Sequence, residues 1–142
     1  MHQNGLAPLH LQIPSIIISG SCLCGDIKYT VSGDPVAQAL CHCLDCRRIS
    51  GSLCSFNWVL PSQQLTVVNG TPKTYTNASN TGNNVTSHFC GNCGTTLWRD
   101  GPATQGLVYL KAGTIDSDDE RINASQESVE VCGRAGMPAS VR

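Results

Sequence analysis

The sequence predicts a mainly β protein of one domain, and three observations carry that prediction. Short apolar runs alternate in and out with a period of two. Fourteen glycines and seven prolines are spread along the 142 residues, which suits a turn-rich sheet better than a helical bundle. No apolar pattern of helical period runs longer than a turn or two. The cysteines then gather in close pairs near the ends of the predicted strands, so the fold reads as a β-sheet structure organised around metal knuckles.

The elements follow in order. Residues 1–15 read as a flexible tail, with a first strand at Ile16–Ser19. Asp26–Ser32 (DIKYTVS) places Ile27, Tyr29 and Val31 on one face, the mark of a half-buried strand. Gly33-Asp34-Pro35 turns the chain into a strand at Val36–Leu40. Leu53–Leu60 (LCSFNWVL) reads as a buried strand stopped by Pro61, with Cys54 a small hydrophobe inside it. Leu65–Val68, the turn residues Asn69-Gly70, and Lys73–Thr76 read as strand, turn, strand. Asn77–Asn84 is polar and predicts an exposed loop. Val85–Phe89, Thr95–Trp98 and Leu107–Ala112 are the remaining strands. The domain spans residues 16–116, and residues 117–142 read as a weakly structured end of it, irregular or with one weak strand. Cys132 in that end is expected to be unligated.

Composition excludes several classes of partner. Nine basic and ten acidic residues leave a formal charge of −1, so nothing favours nucleic acid or an anionic membrane. No run approaches the roughly 20 apolar residues of a membrane span. The first twenty residues lack Lys and Arg, and Pro14 breaks their apolar run, so they do not resemble a secretory signal. A cytoplasmic location is expected, and the sequons at Asn69, Asn77, Asn84 and Asn123 then carry no weight. A homo-oligomer is compatible with the sequence.

Nine cysteines are an odd number, and Cys-x-Cys and Cys-x-x-Cys spacings suit a metal better than unstrained disulfides. Seven form three groups: Cys22 with Cys24; Cys41 with Cys43 and Cys46; Cys90 with Cys93. The simplest partition joins Cys22, Cys24, Cys90 and Cys93 into a closed, tetrahedral structural zinc site. Cys41, Cys43 and Cys46 remain as a second site with three thiolates. Three protein ligands and an open fourth position mark catalytic zinc, whereas a histidine, His42 or His88, would close the site. His42 lies between two ligands and is expected to point away. His88 is expected to pack or hydrogen-bond near the four-cysteine site.

At this point the sequence resembles the glutathione-dependent formaldehyde-activating (GFA) family, which includes centromere-protein-V-like members. The matching stretches are GSCLCGDIKYTVSG (Gly20–Gly33), CHCLDCRRISGS (Cys41–Ser52), NGTPKTY (Asn69–Tyr75), HFCGNCGTTL (His88–Leu97) and KAGTID (Lys111–Asp116). The resemblance implies an Mss4-like β fold, shared with a Rab-binding exchange-factor chaperone. It also implies two zinc ions, structural on Cys22, Cys24, Cys90 and Cys93 and catalytic on Cys41, Cys43 and Cys46. The activity implied is that of a carbon–sulfur lyase resembling S-(hydroxymethyl)glutathione synthase, acting on a small carbonyl–thiol adduct or a related metabolite, with glutathione as the candidate cosubstrate. The alternative is a non-catalytic, zinc-stabilised protein-interaction module of the same fold. After Asp116 the match thins: residues 127–142 keep Arg134 but no tryptophan.

Three residues beside the open site are candidates for catalysis. Arg47 and Arg48 follow the last ligand and could offset thiolate charge or clamp a substrate carboxylate, although a solvated pair explains them equally well. Ser50, with Gly51, could present donors to an oxyanion, or simply make a turn. Asp45 reads as a local turn acceptor, and Trp58 and Trp98 as core or pocket wall.

Overall fold

The structure, a computed structural model, describes residues 16–116 and the backbone of Val129–Cys132. The expectations for residues 1–15, for Arg134 and for the side chain of Cys132 fall outside what is described.

The strands in chain order are β1 (Ile17–Ser21), β2 (Lys28–Ser32), β3 (Ala37–Cys41), β4 (Ser55–Pro61), β5 (Leu65–Asn69), β6 (Lys73–Ala78), β7 (Asn84–Phe89), β8 (Thr96–Asp100), β9 (Leu107–Lys111) and β10 (Val129–Cys132). Among the described residues one α-helix, α1 (Leu44–Ser50), interrupts them. β1, β2 and β5 form a small antiparallel sheet in the order β1-β2-β5, and the others form a seven-stranded sheet in the order β10-β3-β4-β9-β8-β7-β6. All pairs are antiparallel except β10 with β3. The mainly β prediction therefore holds, with strand ends displaced by a residue or two.

Two differences from expectation have physical causes. The Asn69-Gly70 turn does not close a hairpin, because β5 pairs with β2 while β6 pairs with β7 in the other sheet. Gly70 takes a positive φ of 77°, and a Cβ there would strike the Asp26 carbonyl, which also accepts the Asn69 side-chain amide at 2.8 Å. The chain is thus pinned to the β2 entry as it changes sheet. Cys54 and Leu53 lie before β4 rather than in it, since the strand begins only where Ser55 pairs with Cys41.

The core fills the space between the sheets. Ile18, Tyr29 and Val31 come from the small sheet, and Trp58, Leu60, Val108 and Leu110 from β4 and β9 of the large one. Alternation along β4 decides what faces where. Trp58 and Leu60 enter the core, so Ser55, Asn57 and Val59 lie on the opposite face, and all five are buried. On β9, Leu110 pairs with Trp58 and Lys111 with Asn57, which carries the same division onto the next strand. The large sheet therefore has an apolar face toward the core and a second covered face on which polar residues collect.

Tyr29 is wholly buried, and its hydroxyl reaches Thr114 Oγ1 at 2.7 Å. Its ring lies across Gly20, its register partner on β1, and leaves no room for a Cβ there. Gly20→Ala should therefore destabilise the fold by about 1–3 kcal/mol through overpacking. Chemical denaturation checks this: the midpoint should fall with an unchanged slope.

Candidate metal centres and cavity

The seven cysteines form two clusters, divided as the spacing predicts. Within each cluster the sulfur atoms lie within 4.8 Å of one another, and neither histidine belongs to the three-cysteine group.

In the four-cysteine cluster, Cys22 and Cys24 come from the turn after β1, and Cys90 and Cys93 from the turn after β7. Cys22 Sγ lies 3.6 Å from Cys24 Sγ, which lies 3.7 Å from Cys90 Sγ. A tetrahedron of zinc–sulfur bonds about 2.3 Å long has edges of about 3.8 Å, so this donor set fits zinc. Backbone N–H groups already point at the sulfurs: Ile27 donates to Cys22 at 3.2 Å and Asn92 to Cys90 at 3.4 Å. Thr95 joins the two turns, accepting from the Leu23 N–H at 3.1 Å while its hydroxyl lies 3.2 Å from Cys93 Sγ. That hydroxyl, with backbone N–H groups, holds the Cys93 thiol down to about 5, so it favours the thiolate a metal needs.

The three-cysteine cluster is built differently. Cys41 ends β3, Cys43 caps α1 with extended backbone, and Cys46 sits in the first turn, donating its N–H to Cys43 Sγ at 3.4 Å. The helix stops at Gly51, whose left-handed φ of 64° is natural for glycine. Contact with Cys41, together with burial, pushes the Cys46 thiol up, and Lys111 acts against that shift. A divalent cation would relieve the crowding of three thiols, so this donor set also fits zinc.

This cluster lines a cavity of about 230 Å³ on the second face of the large sheet. Asn57, Tyr109, Lys111 and Arg99 form its floor, Asp45 its α1 side, and Ser79–Thr81 with Ala103-Thr104 its rim. Arg99 is buried and held on three sides: Nε donates to Ser87 Oγ at 3.1 Å, Nη2 to Asn77 Oδ1 at 3.1 Å, and Asp45 Oδ2 lies 3.6 Å away. Asp45 also accepts from Asn77 Nδ2 at 2.8 Å, so it ties α1 to β6 rather than acting as a local turn acceptor. Lys111 Nζ donates to Ser55 Oγ at 2.7 Å and to Asn57 Oδ1 at 2.8 Å.

The candidates singled out beside the ligands lie elsewhere. Neither Arg47 nor Arg48 lines the cavity: both flank a shallow depression with Leu44, Gly51, Ser52 and Leu53, and Arg48 also lines a second pocket with Asp45, Asn77 and Ser87, the residues that hold Arg99. Ser50 Oγ donates to the Cys54 carbonyl at 2.9 Å and accepts the Ser52 N–H at 3.2 Å, tying off the turn after α1. His88 stacks on Trp98 at 4.6 Å and donates to Asp100 at 2.7 Å, as a packing role requires. The cavity's cations are Arg99 and Lys111, to which spacing gave no pointer.

A family model described as glutathione-dependent formaldehyde-activating enzyme matches residues 17–131, most of the chain. The chain belongs to the GFA family. A Rhodobacter sphaeroides protein of known crystal structure is similar in fold at 19% identity and a TM-score of 0.59, covering 73% of this chain and 93% of that one. No curated protein matches. For this GFA member, the features that matter are two clusters that could hold zinc: one has all three of its cysteines on a single cavity, and the other puts only Cys22 on the pocket beside it. No helix among the described residues is long and apolar enough to cross a membrane.

The two clusters should respond differently to loss of a ligand. Cys43→Ser should leave a folded chain with roughly one zinc in place of two, whereas Cys93→Ser should lose cooperative folding. Metal quantification beside circular dichroism measures both, and equal unfolding of the two variants would contradict the division.

Proposed function

We propose that this chain is a zinc-dependent enzyme of the carbon–sulfur lyase type, joining or separating a thiol and a small carbonyl compound, with glutathione as the candidate thiol. The observation that carries the reading is the cavity: all three cysteines of the three-cysteine cluster line it, whereas the four-cysteine cluster has a complete set of four donors and only Cys22 reaches the pocket beside it. In the joining direction the S–H bond breaks, a C–S bond forms, and the proton ends on the former carbonyl oxygen. Cleavage is the reverse. A zinc ion on Cys41, Cys43 and Cys46 would supply Lewis acidity toward oxygen and affinity for a thiolate sulfur.

The chain's own residues do the rest. Arg99 is fixed by Ser87, Asn77 and Asp45, so its guanidinium is pre-oriented in the cavity to hold a substrate oxygen or carboxylate. The Ser79–Thr81 rim and the Ala103-Thr104 turn wall the cavity and limit water at the reacting carbon. Arg47 and Arg48 remain candidates for longer-range contact with an extended substrate, and Ser50 for shaping the turn that ends α1. Reduced thiols at both clusters fit a cytoplasmic location.

The test is turnover of thiol–carbonyl adducts by the zinc-loaded chain, the glutathione–formaldehyde adduct first. Cys43→Ser should lower the rate by at least about 100-fold while the fold persists. A chain that turns over no adduct, and whose three-cysteine metal accepts no added ligand, would instead be the interaction module of the same fold.

A further inference from the structure

The second face of the large sheet holds a buried ammonium that the reaction above does not use. Lys111 ends β9, is 8% exposed and lines the cavity beside all three cysteines of the open cluster. Register brings it there: Lys111 pairs with Asn57 on β4, and Ser55, two residues along the same face, pairs with Cys41 on β3. Its two acceptors are themselves fixed. Ser55 Oγ donates to Asn57 Oδ1 at 3.1 Å, and Asn57 Nδ2 donates to the Ala39 and Ser55 carbonyls at 3.2 and 2.9 Å. An ammonium has three N–H donors, so this cradle engages two and leaves one.

Charge counting gives the cradle a purpose. A divalent ion on three thiolates carries net −1, and a fourth thiolate would make it −2, in a partly buried place where charge is costly. Arg99 cannot offset this, because Asp45 stands 3.6 Å from its guanidinium and is the one carboxylate among the described lining residues. Lys111 has no such acidic partner there. Burial, with the Arg99 guanidinium adding to it, lowers the Lys111 ammonium below the ordinary lysine range, while thiolates at Cys46, Cys41 and Cys43 act for its charge.

We propose that Lys111 is the positioning residue that lets an already three-thiolate metal centre accept a fourth, anionic sulfur ligand. The proposal rests on the open-site reading above and names what that site selects: a thiolate in preference to a neutral donor. With Lys111 present, ion, three thiolates and ammonium sum to zero, and an incoming thiolate meets a neutral site. Without it, the same thiolate approaches a centre already at −1, whereas a neutral ligand is little affected.

The test uses the full chain with cobalt(II) at the three-cysteine cluster, titrated with 2-mercaptoethanol as the anionic probe and imidazole as the neutral one, read by the cobalt absorption bands. Lys111→Gln can still hydrogen-bond to Ser55 and Asn57 but carries no charge. It should weaken thiol binding by roughly tenfold or more, the scale of one charge-assisted interaction, and change imidazole binding by less than about threefold. Lys111→Arg should keep the thiol preference, and Lys111→Met serves as a second neutral variant where Gln disturbs the fold. Equal weakening of both probes, or of neither, overturns the proposal, as does failure of both neutral variants to fold. A wild-type site that binds neither probe would instead overturn the open-site reading itself.

Discussion

Four sulfur atoms at the ends of two hairpins are the constraint on which the rest of this molecule depends. The β1–β2 turn belongs to the small sheet and the β7–β8 turn to the large one, and the cluster of Cys22, Cys24, Cys90 and Cys93 joins them across 66 residues between Cys24 and Cys90. Cys22 and Cys90 are also members of the apolar core, so the cross-link and the packing meet in one place. The magnitudes favour the metal as the deciding term. A structural zinc is worth about 10–16 kcal/mol in small folded peptides, against a net stability of about 5–15 kcal/mol for a whole domain. Once the sheets are held, the core need only fill the gap between them.

That arrangement frees the other face of the large sheet. A strand in the middle of a two-layer sandwich usually buries one face and exposes the other, but β4 buries both. Its inner face supplies Trp58 and Leu60, and its outer face supplies Ser55 and Asn57, covered by α1 and the cavity rim. Polar groups can be buried there because each finds partners: Lys111 in Ser55 and Asn57, Arg99 in Ser87 and Asn77. Side chains locked in this way would lose little freedom on binding a ligand.

How much of this was legible in the sequence depended on the range of the interaction. Ligand groups are local, so Cys-x-Cys and Cys-x-x-Cys spacing gave the partition into four and three, and alternation gave nearly every strand. The Asn69-Gly70 turn was visible as a turn, but its change of sheet was not, because which strand β5 pairs with depends on Lys28–Val31, far earlier in the chain. Asn77–Asn84 read as an exposed loop because its residues are polar, and residues 79–83 do form one, exposed from Asn80 on. Polarity did not show that Asn77 belongs to β6 and anchors Arg99, or that Ser79–Thr81 rim the cavity. The cavity's cations were the hardest to find. Arg47 and Arg48 drew attention by adjacency to Cys46, but α1 keeps both off the cavity lining and brings only Arg48 to the neighbouring pocket beside Asp45. Arg99 and Lys111 sit among apolar strand residues and reach the site only through cross-strand register, 54 residues separating Lys111 from Asn57.

The two clusters also show how one side chain can serve two purposes. At the four-cysteine cluster both halves are turns, with peptide N–H groups aimed at sulfur and no cavity among those described that gathers all four ligands. At the three-cysteine cluster the sulfurs come from a strand end and a helix cap, elements whose geometry the sheet and helix fix without any metal. At the first site, an ion on four sulfurs would bring distant turns together. The second rests on a scaffold that β3 and α1 already fix, so on the proposed reading an ion there could exchange what it binds without costing the protein its fold. The two donor sets are separated in space, and the division begins with the absence of a fourth cysteine beside Cys41, Cys43 and Cys46 among the described side chains.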